Sequence, residues 1–83
     1  LKFELTKHAI DVTSERDIPL EFIERVIDHP EVKEADARDA ELEYYLSRIE
    51  EYDNRVLRVI VNKQSNPILV ITAFFDRNMR GKL

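Results

Sequence analysis

Apolar and polar positions change their period along this chain. Over residues 20–27, Leu20, Ile23, Val26 and Ile27 recur at helical spacing with Phe22 beside them, and Glu21 and Glu24 fall toward the opposite side. This predicts an amphipathic helix. A weaker stripe precedes it: Ala9, Val12 and Arg16, with Thr13 adjacent, predict a helix over residues 7–16. Thr6 suits its N-cap, because a hydroxyl there can accept a bond from an orphan amide. Asp17-Ile18-Pro19 separates the two helices, and Pro19, with fixed φ and no amide donor, fits the first turn of the second. His29-Pro30 ends that helix, since a residue before proline is pushed out of the α region.

From residue 42 the period shortens to two. Strands are expected near 42–52, 55–63 and 68–76, joined by a two-residue turn at Asp53-Asn54, where both residues tolerate positive φ, and by the connection Gln64-Ser65-Asn66-Pro67. Residues 2–5 suit a short first strand, and 31–39 an edge strand or loop. The expected fold is α+β: two N-terminal helices packed on one face of a three- to four-stranded antiparallel sheet. Pairing Tyr52 with Arg55 and Lys63 with Ile68 places Leu42, Tyr44, Leu46, Arg48, Leu57, Val59, Val61, Val70, Thr72 and Phe74 on one side. Tyr45, Ser47, Ile49, Val56, Arg58, Ile60, Asn62, Leu69, Ile71, Ala73 and Phe75 then share the other. Both sides are apolar. The helices cover one, and the other predicts a surface for a protein partner or for self-association.

Length and composition narrow the setting. A chain of 83 residues is read as one domain, 1–83, ending in a basic tail over 77–83. The absence of cysteine excludes disulfides and thiolate metal sites and favours a reducing, cytoplasmic location. No apolar run approaches the roughly 20 residues of a membrane span, and no charged-then-apolar leader is visible, so neither membrane insertion nor secretion is expected. The net charge of −4 is unevenly spread. Asp28, Glu31, Glu34, Asp36, Asp39, Glu41 and Glu43 crowd one segment against Lys33 and Arg38, whereas the tail holds Arg77, Arg80 and Lys82. The acids read first as a solvated face. An acidic body repels phosphate backbones at long range, so any contact with RNA requires a local basic patch.

Several side chains suit chemistry. His8, in the first turn of the first helix, has the right intrinsic pKa for a general acid or base, and equally suits a surface position packed beside the sheet. His29, at a helix C-terminus, is favoured there by the dipole. Arg48 and Arg58 lie inside strands between apolar neighbours, where a planar fork of donors can hold phosphate or stabilise a phosphoryl transition state, or can pair with Glu43, Glu50 or the acids of 31–41. Arg16 has the same phosphate reading, set against a side chain whose stem covers the sheet edge. The two histidines and scattered carboxylates match no metal-ligand spacing, and with Gly81 the sole glycine there is no phosphate-cradling loop, so neither metal nor cofactor is expected. Tyr44, Tyr45, Phe74 and Phe75 offer rings for base stacking or, as adjacent strand aromatics, for core and interface.

The order Lys7-His8-Ala9, Arg16-Asp17-Ile18, Asp28-His29-Pro30-Glu31 and Val70-Ile71-Thr72-Ala73 resembles the bacterial domain-of-unknown-function 4258 family over nearly the whole chain. That family opens on His-Ala, then Arg-Gly-Ile, then a helix ending in Asn-Pro-Glu. The chain departs from this pattern at Val12, often arginine, at Asp17 for glycine and at His29 for asparagine. The family in turn looks similar to RelE/BrnT-like toxins, which implies two helices on an antiparallel sheet and a component of a toxin-antitoxin-type system acting on RNA. Ile71-Thr72-Ala73-Phe74 stands where BrnT-like toxins resemble Ile-Ser-Ala-Arg, so that arginine is missing. The resemblance implies an endoribonuclease using the RNA 2′-hydroxyl as nucleophile. His8 would move the proton, Arg16, Arg48 and Arg58 would complete the site, and Arg77, Arg80 and Lys82 would hold the backbone. The competing expectation is a non-catalytic, oligomerising module on the same fold.

Overall fold

The computed structural model describes residues 2–83. The elements run β1 (Phe3–Leu5), α1 (Lys7–Glu15), α2 (Leu20–Asp28), β2 (Val32–Ala35), β3 (Leu42–Ile49), β4 (Arg55–Asn62) and β5 (Ile68–Phe75), with short 3-10 turns at Glu50–Tyr52 and Arg77–Met79. The fold is α+β.

Local signals account for the helix ends. The Thr6 hydroxyl accepts the Ala9 amide at 3.1 Å and starts α1. At the other end Asp17 N–H donates to Ser14 O and Ile18 N–H to Thr13 O, closing a Schellman motif with Asp17 at φ 52. The left-handed position after Arg16 favours glycine, and here an aspartate must adopt it.

The sheet has five strands in the order β1-β5-β4-β3-β2. It is mixed: β1 runs parallel to β5, and every other pair is antiparallel. This corrects the expected antiparallel sheet of three or four strands. The short segments Phe3–Leu5 and Val32–Ala35 carry little alternation of their own, yet each completes an edge. The helices are also not N-terminal, because β1 precedes them.

Register differs from expectation at two places. Tyr52 does not pair with Arg55: β3 stops at Ile49, which pairs with Arg55, and residues 50–54 form the turn. Asp53 and Asn54 take positive φ, as their side chains allow. The longer turn shifts the pairing by an odd number of residues, so Tyr45, Ser47 and Ile49 share a side with Leu57, Val59 and Val61. In β5, a bulge opposite Ile60/Val61 moves the inward positions from Ile68 and Val70 to Ala73 and Phe75.

The core lies between the helices and that side of the sheet. Ala9, Ile18, Phe22, Ile23, Val26 and Ile27 pack with Tyr45, Ile49, Leu57, Val59, Val61, Val70 and Ala73. The predicted stripe of α2 is therefore buried except for Leu20, which remains 52% exposed at the first position of the helix. Each fully buried aliphatic side chain of this set contributes about 1.5–3 kcal/mol. On the opposite side Leu46 and Val56 are also fully buried, although both helices lie on the other face. Their cross-strand partners are Arg58 and Arg48, whose aliphatic stems are placed to shield them. No helix is long and apolar enough to cross a membrane among the described residues.

Candidate functional site

The two arginines inside strands are both neutralised. Arg48 pairs with Glu31 at 2.7 Å, and the same carboxylate accepts the Arg48 backbone amide at 2.7 Å and its Nε at 3.1 Å. These bonds from Arg48 hold the Glu31 carboxyl below its ordinary pKa, outweighing its slight burial. Arg58 donates from Nε and from its terminal nitrogen to Asp76, both at 2.9 Å, and its guanidinium lies 5.3 Å from the centre of the Tyr44 ring. Arg58 and Asp76 are only 15% and 13% exposed, so this pair is largely desolvated. Tyr44 in turn donates its hydroxyl to Asp36, which also accepts the Arg38 and Asp39 amides. That set of bonds lowers the Asp36 pKa and raises that of Tyr44.

A different set of cations gathers at one end of the sheet. A groove of about 480 Å3 is lined by Arg16, Arg55, Arg77 and Arg80, together with Phe74, Phe75 and Asp76, the partner of Arg58. Each arginine arrives from a separate element end. Arg16 is the C-cap of α1, Arg55 opens β4, Arg77 begins the 3-10 turn after β5 and Arg80 ends it. The chain brings them together because β4 starts and β5 finishes at the same end of an antiparallel pair, Leu57 lying opposite Phe75.

Local bonds fix much of this wall. Arg16 donates to Ala73 O at 2.9 Å. Arg80 pairs with Asp53 in the β3–β4 turn. The Arg55 guanidinium lies 4.9 Å from the Tyr52 ring centre, and that ring sits 4.9 Å from Phe75. The turn is itself tied to α2 by a bidentate pair, Arg25 to Glu51 at 2.7 and 2.8 Å, which lowers the Glu51 pKa to about 2. Asp76 accepts the Asn78 amide at 3.0 Å and so caps the segment carrying Arg77. Among the described residues, Arg16, Arg55 and Arg77 have no carboxylate partner. Planar guanidinium forks with spare donors at the mouth of a partly apolar groove can bind a phosphate or carboxylate.

Of the residues singled out in the sequence, Arg16, Arg77 and Arg80 meet in this groove, and Arg58 reaches it through Asp76. His8, Arg48 and Lys82 do not line it. His8 is exposed near the N-terminal end of α1, roughly 12 Å along the axis from Arg16 at the opposite end. Arg48 belongs to the β2 side of the sheet through Glu31. Arg55 was not among the sequence candidates, because an arginine at the first position of a strand after a turn reads as an ordinary solvated strand end. The signal that would find it is the clustering of basic residues at ends that an antiparallel meander must bring together.

Neither curated proteins nor solved structures gave a significant match to this chain. A family model does match, covering residues 5–75 and so every helix and strand except the start of β1. With the helix-ending and turn positions that carry the resemblance inside that span, the chain belongs to the family described as Domain of unknown function (DUF4258).

Proposed function

We propose that the arginine groove binds the phosphates of RNA, and that the protein is an RNA-contacting component of a toxin-antitoxin-type system on a RelE/BrnT-like fold. The observation that supports this reading is the gathering of Arg16, Arg55, Arg77 and Arg80 around one groove in a chain whose net charge is −4. Scattered cations would be lost in so acidic a field, whereas a local cluster creates a positive site of a few Ångströms' reach. Phe74 and Phe75 add apolar surface on which a base can rest. The reading is one of binding. The proposed proton carrier His8 lies outside the groove, and Asp76 is occupied by Arg58 and the Asn78 amide.

Fluorescence anisotropy with a labelled single-stranded RNA at low and moderate salt tests it. The expected result is binding that weakens with salt with a log-log slope of about −2, as for three phosphate contacts on a single strand. Arg55→Ala with Arg77→Ala weakens it at least tenfold, and His8→Ala leaves it unchanged. Equal affinity of the double variant, or no binding at low salt, overturns the reading.

A second reading is favoured by the side of the sheet away from the helices. Leu42, Ile60, Leu69 and Phe74 are only partly buried there. This face suits a protein partner or self-association without catalysis. A monomer by light scattering that binds no apolar dye overturns it.

A further inference from the structure

We propose that a second copy of this chain occupies the groove through its acidic β2–β3 loop, so that copies join head to tail and mask the site. The inference rests on the reading of the groove as an anion site, and it goes further by naming what fills that site when RNA is absent.

The two charged regions lie at opposite ends of the strands. The loop 36–41 leads directly into Leu42, which pairs with Asn62 at the end of β4. The groove is built around Arg55 at the start of β4. Eight residues of extended strand separate them, about 25 Å. A loop cannot reach the groove of its own chain across that distance, but the loop of another copy can. The loop is also held in shape. Asp36 accepts the amides of Arg38 and Asp39 and the Tyr44 hydroxyl, and Asp39 accepts the Glu41 amide at 2.9 Å. Glu34, Asp39 and Glu41 form no ion pair among the described residues. Arg16, Arg55 and Arg77 likewise form none, and the two sets are complementary in sign, each lacking an ion-pair partner. Because the two contacting surfaces differ, each added copy exposes a fresh loop and a fresh groove. Growth is therefore set by concentration and opposed by salt.

The test uses two variants of the full chain followed by sedimentation velocity at low and high salt. One carries Asp39→Asn and Glu41→Gln, and the other Arg55→Gln and Arg77→Gln. The native chain is expected to associate at low salt and to dissociate at 0.5 M salt. Each variant alone is expected to remain monomeric, and their equimolar mixture to form a dimer that grows no further, since one intact groove meets one intact loop. A native monomer at millimolar concentration, association that strengthens with salt, or a mixture that stays monomeric overturns the proposal. Binding of labelled RNA by the loop variant separates the two ideas. If that variant binds RNA while the native chain never associates, the groove reading stands and the self-docking does not. If it binds no RNA, the groove reading itself falls.

Discussion

Arg48 and Arg58 on the sheet, and Arg55 and Arg77 at its end, are the same residue type put to opposite uses. The first pair stands opposite the buried side chains Val56 and Leu46 and is matched one to one with Glu31 and Asp76. The second pair stands where strands begin or end and has no carboxylate partner among the described residues. An arginine placed amid apolar neighbours in a strand must bring its counterion to be tolerated. An arginine at a strand end remains in contact with water and is free to serve a ligand. The contrast teaches that the cations most conspicuous in the sequence belong to the architecture, and those that look ordinary shape the groove.

Substitutions can break this contrast, the largest effect first. Arg58→Ala leaves the Asp76 carboxylate largely buried and unpaired, so urea unfolding should show a loss of about 2–3 kcal/mol. Replacing both partners with uncharged residues should recover much of that loss. Asp17→Gly should act in the other direction. It removes a β-carbon from φ 52 at the end of α1 and is expected to gain about 1 kcal/mol, read as a raised urea midpoint. Arg48→Ala should lower the midpoint by much less than Arg58→Ala, since its pair with Glu31 is half exposed. Arg77→Ala should change stability by under about 0.5 kcal/mol while weakening RNA binding, which is the outcome that most sharply separates the two groups. A loss comparable to that of Arg58→Ala would erase the distinction.

Acid titration probes the paired carboxylates together. Glu51 moves from its ordinary value of 4.5 to about 2 in the folded chain, through its bonds to Arg25. Glu31 and Asp36 are lowered as well. Between those values the unfolded chain binds more protons than the folded one. The stabilisation is thus present above about pH 4.5 and is lost as the pH falls toward 2. Glu51→Gln is expected to flatten the fall of the urea midpoint across that window, a modest change because the pair is exposed.

Much of the architecture was legible in the chain. Thr6, Pro19 and His29 mark helix boundaries within a residue, and the stripe Ile23, Val26 and Ile27 faces the core. Register was not legible, for a physical reason. Glu50-Glu51-Tyr52 continues the composition of a strand while the backbone turns at 3-10 geometry, and nothing local announces the bulge in β5. Three-residue β1 has too few positions to display a period, so its parallel pairing with β5 follows only from the assembled sheet. The site was half legible. Arg16, Arg77 and Arg80 were singled out for chemistry, but their meeting with Arg55 depends on tertiary geometry.

The parallel seam between the first strand and the last has a consequence during synthesis. Phe3 meets Ile68, so the amino-terminal strand has no neighbour to join until the ribosome has delivered nearly all of the domain. The β3–β5 meander closes only short loops and can assemble early, whereas β1 must wait for the costliest closure in the molecule. During that interval the nascent chain exposes Phe3 and Leu5, and its amino-terminal backbone amides should be the last to gain protection from exchange.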